Sequence, residues 1–334
     1  MDRLRLLVVQ DDASVYYLSF FALVGILVTT SLLYDWTRLW LGYIFGGPSI
    51  TKYGANTGAW AVVTGSTAGI GYEFAMQLGK AGFNVVLISR SQDKLDKVAK
   101  ELAEKCPHIE SVTHAIDFAQ ASPAQYEKLS YALKGLNIGV LVNNVGQSHD
   151  YPEYYHELDS DENERIVEIN VLSVLRITKL VLPGMVERRR GLILNVGSFA
   201  ALIPTPLLSV YSGSKAFLYT WSNALGSEMQ DFGITVSLLN TYFVVSKLSK
   251  IRKPNFLTPM PQAYVKSALA HVGVQVGAVS AAPFTSTPHL GHAIVQFIID
   301  HLGTWTMWIA YNKRLHKDIK ARALRKKARD SKAN

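Results

Sequence analysis

From Ala59 onward, short apolar runs rich in β-branched residues alternate with longer runs whose apolar positions recur every three or four residues. That alternation predicts an α/β fold, a parallel sheet with helices on both faces. Strands are expected at Trp60–Thr64, Asn84–Ser89, 111–116, 140–143, 192–195 and 235–240. The stretch 159–190 reads as one long helix, opened by Asp159, Asp161 and Glu162, acids that suit the positive end of a helix dipole.

Ahead of this body the pattern changes. Residues 13–34 include no charged side chain, and as a helix they would extend about 33 Å, enough for a bilayer core of about 30 Å. Tyr16, Tyr17, Tyr34 and Trp36 sit at the two ends, where an interfacial aromatic belt belongs. An N-terminal transmembrane helix is therefore expected, preceded by a flank at 1–12 and followed by a juxtamembrane linker at 35–58. Within that linker the apolar stretch 39–45, ending at Gly46-Gly47-Pro48, reads as an interfacial or hairpin segment. Arg3 and Arg5 on one side nearly balance Arg38 and Lys52 on the other, so charge does not set the orientation.

Composition narrows the class. A hydrophobic share of 49% with 18% charged residues is globular and excludes a disordered chain. The single Cys106 excludes an internal disulfide, and no Asn-x-Ser/Thr sequon occurs, which fits a catalytic body facing a reducing compartment. The net charge of +8 is local. Residues 313–334 hold ten Lys/Arg and two acids, while the other 312 residues carry 24 of each sign. This basic tail lacks stacking aromatics from 317 onward, which argues against nucleic acid, and a solvated tail or an anionic membrane surface remains.

The body at 59–312 holds the candidate chemistry. Thr64-Gly65-Ser66-Thr67-Ala68-Gly69-Ile70-Gly71 follows the first strand and opens a helix, the arrangement that brings a pyrophosphate to a helix amino terminus. The second strand ends Ile88-Ser89-Arg90-Ser91, with a guanidinium where an acid would select NAD, so a 2′-phosphate and hence NADPH is expected at Arg90. Tyr211 and Lys215 lie four apart, on one face of a helix, and a nearby ammonium is expected to lower the phenol's pKa. Ser198 lies thirteen residues upstream, at the end of a strand. No histidine pair has zinc-site spacing, and His149 reads as a loop surface residue.

Together with Asn143-Asn144-Val145-Gly146 and Asn170, these motifs resemble the short-chain dehydrogenase/reductase superfamily over roughly 59–246, which implies a Rossmann-type doubly wound parallel sheet. The resemblance implies Tyr211 as general acid, Lys215 as its modulator and ribose ligand, and Ser198 as binder of the substrate carbonyl. It implies Asn170 as anchor of a proton-relay water. Gly65, Ser66, Thr67, Gly69, Ile70, Gly71, Arg90, Asp117, Asn143 and Asn144 would line the cofactor, with Val244 and Ser246 at its carboxamide. One departure stands out: the usual Pro-Gly after the sixth strand reads Thr241-Tyr242, which leaves the turn there open.

The segments at 141–150, 197–215 and 249–252 and the basic end at 323–329 resemble fungal very-long-chain 3-oxoacyl-CoA reductases, relatives of 17β-hydroxysteroid dehydrogenases. That resemblance implies an endoplasmic-reticulum membrane enzyme, single-pass and facing the cytosol. Its substrate would be a very-long-chain 3-oxoacyl-CoA, and its partners an elongase, a 3-hydroxyacyl-CoA dehydratase and an enoyl reductase. A membrane hydroxysteroid dehydrogenase shares every catalytic residue. A silent scaffold would have no need of Ser198, Tyr211, Lys215 and Asn170 together. The substrate side should lie at about 247–311. Within it Asp300 argues against a second span, leaving 284–311 as core packing or an interfacial helix.

Overall fold

The computed structural model describes residues 12–278 and 282–333. The flank at 1–11, with Arg3 and Arg5, lies outside them.

Helix α1 runs Asp12–Phe45 and is long and apolar enough to cross a membrane. Its side chains from Val15 to Leu33 are largely exposed, as a lipid-facing helix requires. It does not stop at the end of the uncharged stretch. The part expected to be a hairpin or interfacial segment is the same helix continued, because tertiary contacts hold it. Leu39 is fully buried, Gly42 faces Val276, and Tyr43 donates from its hydroxyl to the Thr287 carbonyl at 2.7 Å. The Gly47 N–H then donates to the Ala270 carbonyl at 2.9 Å, and a Cβ at Gly47 would strike the Val272 carbonyl at 2.4 Å. After a short 3-10 turn at Ile50–Tyr53, the buried Tyr53 donates to Thr235 Oγ1 at 2.9 Å and delivers the chain to the sheet.

The body alternates as expected: β1 Trp60–Thr64, α2 Gly69–Lys80, β2 Asn84–Ser89, α3 Gln92–Lys105, β3 Ser111–Ala115, α4 Pro123–Leu133 and β4 Ile138–Asn143. There follow α5 Ser160–Val167, a π-helical turn Glu168–Leu172, α6 Ser173–Glu187, β5 Gly191–Val196, α7 Ser209–Gln230, β6 Ile234–Leu239, α8 Pro261–Ala270 and β7 Thr285–Ser286. Helices α9 Leu290–His301 and α10 Trp305–Ala333 complete the chain. All pairings are parallel, in the order β3-β2-β1-β4-β5-β6-β7.

The period-2 pattern sorts the core into two layers. Ala61, Val63, Val85, Leu87, Val140 and Val142 pack against α2, α3 and α8 through Phe74, Leu95, Leu102 and Tyr264. Val62, Val86, Ile88, Leu141 and Ile193 face the other way, against Ile177, Met185, Leu225 and Met229 of α6 and α7. The order reverses between β1 and β4, so a crevice opens beyond their carboxyl ends.

Two expectations are refined. The stretch 159–190 is one helical run interrupted by the π turn, and Asn170 lies inside that turn. The basic tail is a continuation of α10, which starts well inside the body.

Candidate active site

Apart from Asn170 in the π turn, the residues singled out for chemistry lie at or after the carboxyl end of a strand or on the first turns of the helix after one. After β1 the chain turns through Gly65 at φ +64° and Gly69 at φ +58°, a left-handed geometry costly for other residues. A Cβ at Gly71 would lie 2.3 Å from the Gly65 carbonyl and 2.4 Å from Asn144 Nδ2, so no side chain fits. Ala68 caps α2 without a side-chain oxygen, which leaves the first-turn N–H groups for an anionic guest. Ser66 donates to the Ile88 carbonyl at 3.3 Å, and Thr67 Oγ1 and Ser89 Oγ pair at 3.0 Å. These bonds tie the turn to the end of β2, where Arg90 is exposed beside it. Ile70 packs partly buried against the core. Asp117 accepts the Ala119 N–H at 3.1 Å in the turn after β3. The cradle fits a nicotinamide dinucleotide.

Asn144 braces the cradle by donating to the Thr64 carbonyl at 2.9 Å. Thr64, given no role in the sequence reading, accepts the N–H groups of Asn144 and Val145, both at 3.0 Å, and donates to the Val142 carbonyl. The Asn143 side chain is buried and donates to Thr178 Oγ1 at 3.0 Å and Asn195 Oδ1 at 2.8 Å, which ties β4 to β5 and α6 and leaves its main chain for the cofactor contact expected of it. Asn144, next in sequence, turns its side chain to the glycine turn instead, because successive strand residues point to opposite faces.

Helix α7 carries Tyr211 and Lys215 on its first turns. Ser198, just past β5, opens a short 3-10 turn by accepting the Ala200 N–H at 3.2 Å. Ser212 pins that turn by donating to the Ala200 carbonyl, which holds Ser198 beside Tyr211. Burial pushes the Tyr211 phenol up, while a hydrogen bond with Ser198 pulls the other way. Lys215 is buried, donates to the Val196 carbonyl at 2.9 Å, and stands 5.9 Å from the centre of the Tyr211 ring. Burial lowers its own pKa to about 8. The expected depression of the phenol is therefore not its net direction here, which desolvation sets against the bond from Ser198. A phenol held up stays protonated at neutral pH, the form a proton donor needs.

Asn170 is fully buried. Its Nδ2 donates to the Gln147 carbonyl and to Ser214 Oγ, both at 2.9 Å, and its Oδ1 accepts the Gln147 N–H at 2.8 Å. The side-chain amide is committed to these partners within the protein. A Cβ at Gly146 would lie 3.5 Å from Asn170 Oδ1 and 3.6 Å from Lys215 Nζ, which places the three residues together.

The turn left open at Thr241-Tyr242 is fixed by side chains distant in sequence. Thr241 Oγ1 and the Tyr264 hydroxyl pair at 2.6 Å, and His292 binds the next two residues through the backbone. Phe199, Tyr242, Phe243 and His292 form an aromatic cluster beside Ser198. Val244 is buried, and Ser249 donates to its carbonyl at 2.6 Å and, from its N–H, to Ser246 Oγ at 3.1 Å. Ser246 lies over Gly69, whose Cβ would be 3.7 Å from it. His149 corrects another expectation: it is buried rather than on the surface, and burial lowers its pKa.

Helix α10 folds back over the mouth. Burial raises the Tyr242 phenol and nearby Tyr311 adds to that electrostatically, while Lys320 pairs with Glu157 and sits 4.9 Å over the Tyr154 ring. Nine helical residues, about 14 Å, separate Tyr311 from Lys320, so α10 bridges two walls of the cleft.

A family model described as short chain dehydrogenase matches residues 59–255. A very-long-chain 3-oxoacyl-CoA reductase of Coprinopsis cinerea is 52% identical over 87% of this chain and 86% of its own length. One of Laccaria bicolor is 49% identical over 95% and 94%. Among solved structures, one of a study of 7beta-hydroxysteroid dehydrogenase stereoselectivity superposes with a TM-score of 0.69 at 20% identity, covering 80% of this chain and all of that one. A 3-ketoacyl-(acyl-carrier-protein) reductase from Brucella melitensis complexed with NADH gives 0.52 at 28% identity, covering 57% and 78%.

Proposed function

The chain belongs to the short-chain dehydrogenase family, and we propose that it reduces very-long-chain 3-oxoacyl-CoA to (3R)-3-hydroxyacyl-CoA, the first reduction of a fatty-acid elongation cycle. It is a nicotinamide-dependent oxidoreductase. The observation that carries the substrate is identity near one half, sustained over nearly the whole chain, with reductases of that name.

The bound dinucleotide supplies a hydride to the C3 carbonyl. NADPH is the form proposed, because Arg90 stands exposed at the end of β2, where it would pair with a ribose 2′-phosphate, and no acid competes. Ser198 holds the carbonyl oxygen, and Tyr211 gives it a proton as its carbon is reduced. Lys215 stabilises the resulting phenolate and steadies the ribose. Asn170 and Gly146 keep Lys215 in register, and a water at the Asn170 carbonyl returns the proton. The aromatic cluster around Tyr242 provides an apolar wall for the acyl chain.

The reading extends to an endoplasmic-reticulum membrane, with α1 as single span and the body in the cytosol. A condensing elongase, a 3-hydroxyacyl-CoA dehydratase and an enoyl reductase would act beside it, since they make its substrate and consume its product. NADPH oxidation by the detergent-solubilised protein, with 3-oxoacyl-CoAs of increasing length beside an oxosteroid, tests the substrate. Rising kcat/KM with chain length supports it, and preference for the steroid overturns it.

A further inference from the structure

We propose that the α9–α10 turn, Leu302 to Met307, is a second membrane contact, seated in the headgroup region of an anionic bilayer beside α1. The proposal rests on α1 spanning that bilayer.

Height is the first observation. Asp35 is the first charged residue after the uncharged stretch of α1, and its Oδ2 lies 3.1 Å from His301 Nε2, at the last residue of α9. One residue earlier in the sense of α1, the apolar stretch ends; one residue beyond His301, the turn begins. Trp36 also meets Phe297 edge-on at 5.2 Å between ring centres. The turn is therefore level with the membrane end of the body.

Surface chemistry is the second. Leu302 is 59%, Trp305 64% and Met307 47% exposed, although water exposure of such side chains is costly, on the order of 1 kcal/mol each when half of the burial gain is lost. The turn is built to hold them outward. Gly303 takes φ +86°, Trp308 Nε1 donates to the Leu302 carbonyl at 2.8 Å, and the Met307 N–H donates to Thr304 Oγ1 at 3.3 Å. Ile298 and Trp36, both partly exposed, continue the patch onto α9 and α1. A tryptophan at the junction of an apolar patch and a polar body is the residue expected at headgroup depth.

Charge is the third. Immediately beyond the patch Lys313, Arg314 and Lys317 are exposed on α10, which favours anionic lipid within a Debye length of the surface.

Site-directed nitroxides on the full-length chain in phosphatidylcholine/phosphatidylserine vesicles test this. Cys106 is fully buried, so cysteines introduced as Leu302→Cys or Trp305→Cys take the label selectively. Leu23→Cys on α1 and Lys94→Cys on the body serve as lipid and water references, both side chains being exposed. The expected result is nickel-chelate accessibility at 302 and 305 roughly threefold or more below that at 94, with oxygen accessibility approaching that at 23. Accessibility equal to position 94, with position 23 in lipid, overturns this contact and leaves the anchor standing. Water exposure at 23 as well overturns both. Strong dipolar coupling between labels at 305 shows the patch covered by a second copy, and also overturns it.

Discussion

Nε2 of His292 lies 3.1 Å from the Phe243 carbonyl oxygen, while Nδ1 of the same ring accepts the Tyr242 N–H at 3.4 Å. One neutral imidazole thus serves both backbone groups of a turn that carries no proline. Its pKa is pushed down to about 3, chiefly by burial and then by His289 nearby, so the ring keeps this tautomer throughout the physiological range. The turn leads directly to Val244 and Ser246, the residues proposed for the nicotinamide carboxamide.

His292→Leu leaves those two backbone groups without a partner, at a cost of about 1–3 kcal/mol for each buried one. The expected result is a lowered Tm and a cofactor KM raised roughly tenfold, with kcat changed less, since the turn holds cofactor and not the reacting oxygen. An unchanged cofactor KM would remove His292 from this role. The sign for pH is fixed by the lowered pKa: stability conferred by neutral His292 is present above its unfolded value of 6.5 and is lost as pH falls towards 3.

Tyr211→Phe removes the proton donor and keeps the ring. Turnover should fall by about 10²–10⁴, the range for a positioned general acid, with cofactor affinity nearly intact. Single-turnover absorbance and cofactor binding by fluorescence measure the two separately. Retained turnover would refute the assignment.

Lys215 has a pKa of about 8 when folded against 10.5 when exposed. Below about 8 the folded protein carries a buried cation, and the full penalty applies. As pH rises from 8 to 10.5 the folded form sheds the proton first, and the penalty disappears. Lys215→Met should therefore abolish activity and yet raise the Tm of the protein without added cofactor, by up to about 3 kcal/mol of stability at pH 7. That advantage should fade above pH 10. A Tm difference independent of pH would contradict the burial argument.

Arg90→Ala should weaken NADPH by roughly 10- to 100-fold, the loss of a charge-assisted pair with phosphate, and leave NADH within about twofold. Equal losses for both would take Arg90 off the 2′-phosphate.

Much of this was legible from local chemistry. Six of the strands fall within two residues of the expected runs; apart from β3, half exposed at the sheet edge, they are buried on both faces and so largely apolar along their length. The glycine turn was legible because only glycine fits at Gly65 and Gly71. What stayed hidden depends on contacts far apart in sequence. The His292 clamp reaches back 49 residues to Phe243, and β7 is two residues held by pairing with β6 and by Asn223 of α7. Asn143 carried the motif but points into the core, since a motif names positions and the pleat decides their faces. The run of α1 to Phe45 crosses Asp35 and Arg38, charges that mark a linker in sequence and are accommodated by His301 of α9 and by Gln275 in the segment after α8.

Helix α10 is fixed at both ends, by Trp308 to the carbonyl of Leu302 and by Lys320 to Glu157. Between these points it is a stiff rod of about 18 Å, too short to bend appreciably. Mechanically that makes it a lever. A tilt of roughly 5° at the Trp308 end moves the other end by about 1.6 Å, enough to change the width of a cleft that must pass an acyl chain. With the α9–α10 turn seated in lipid as proposed, bilayer thickness and packing would become inputs to the opening of the active site, alongside the concentrations of cofactor and substrate.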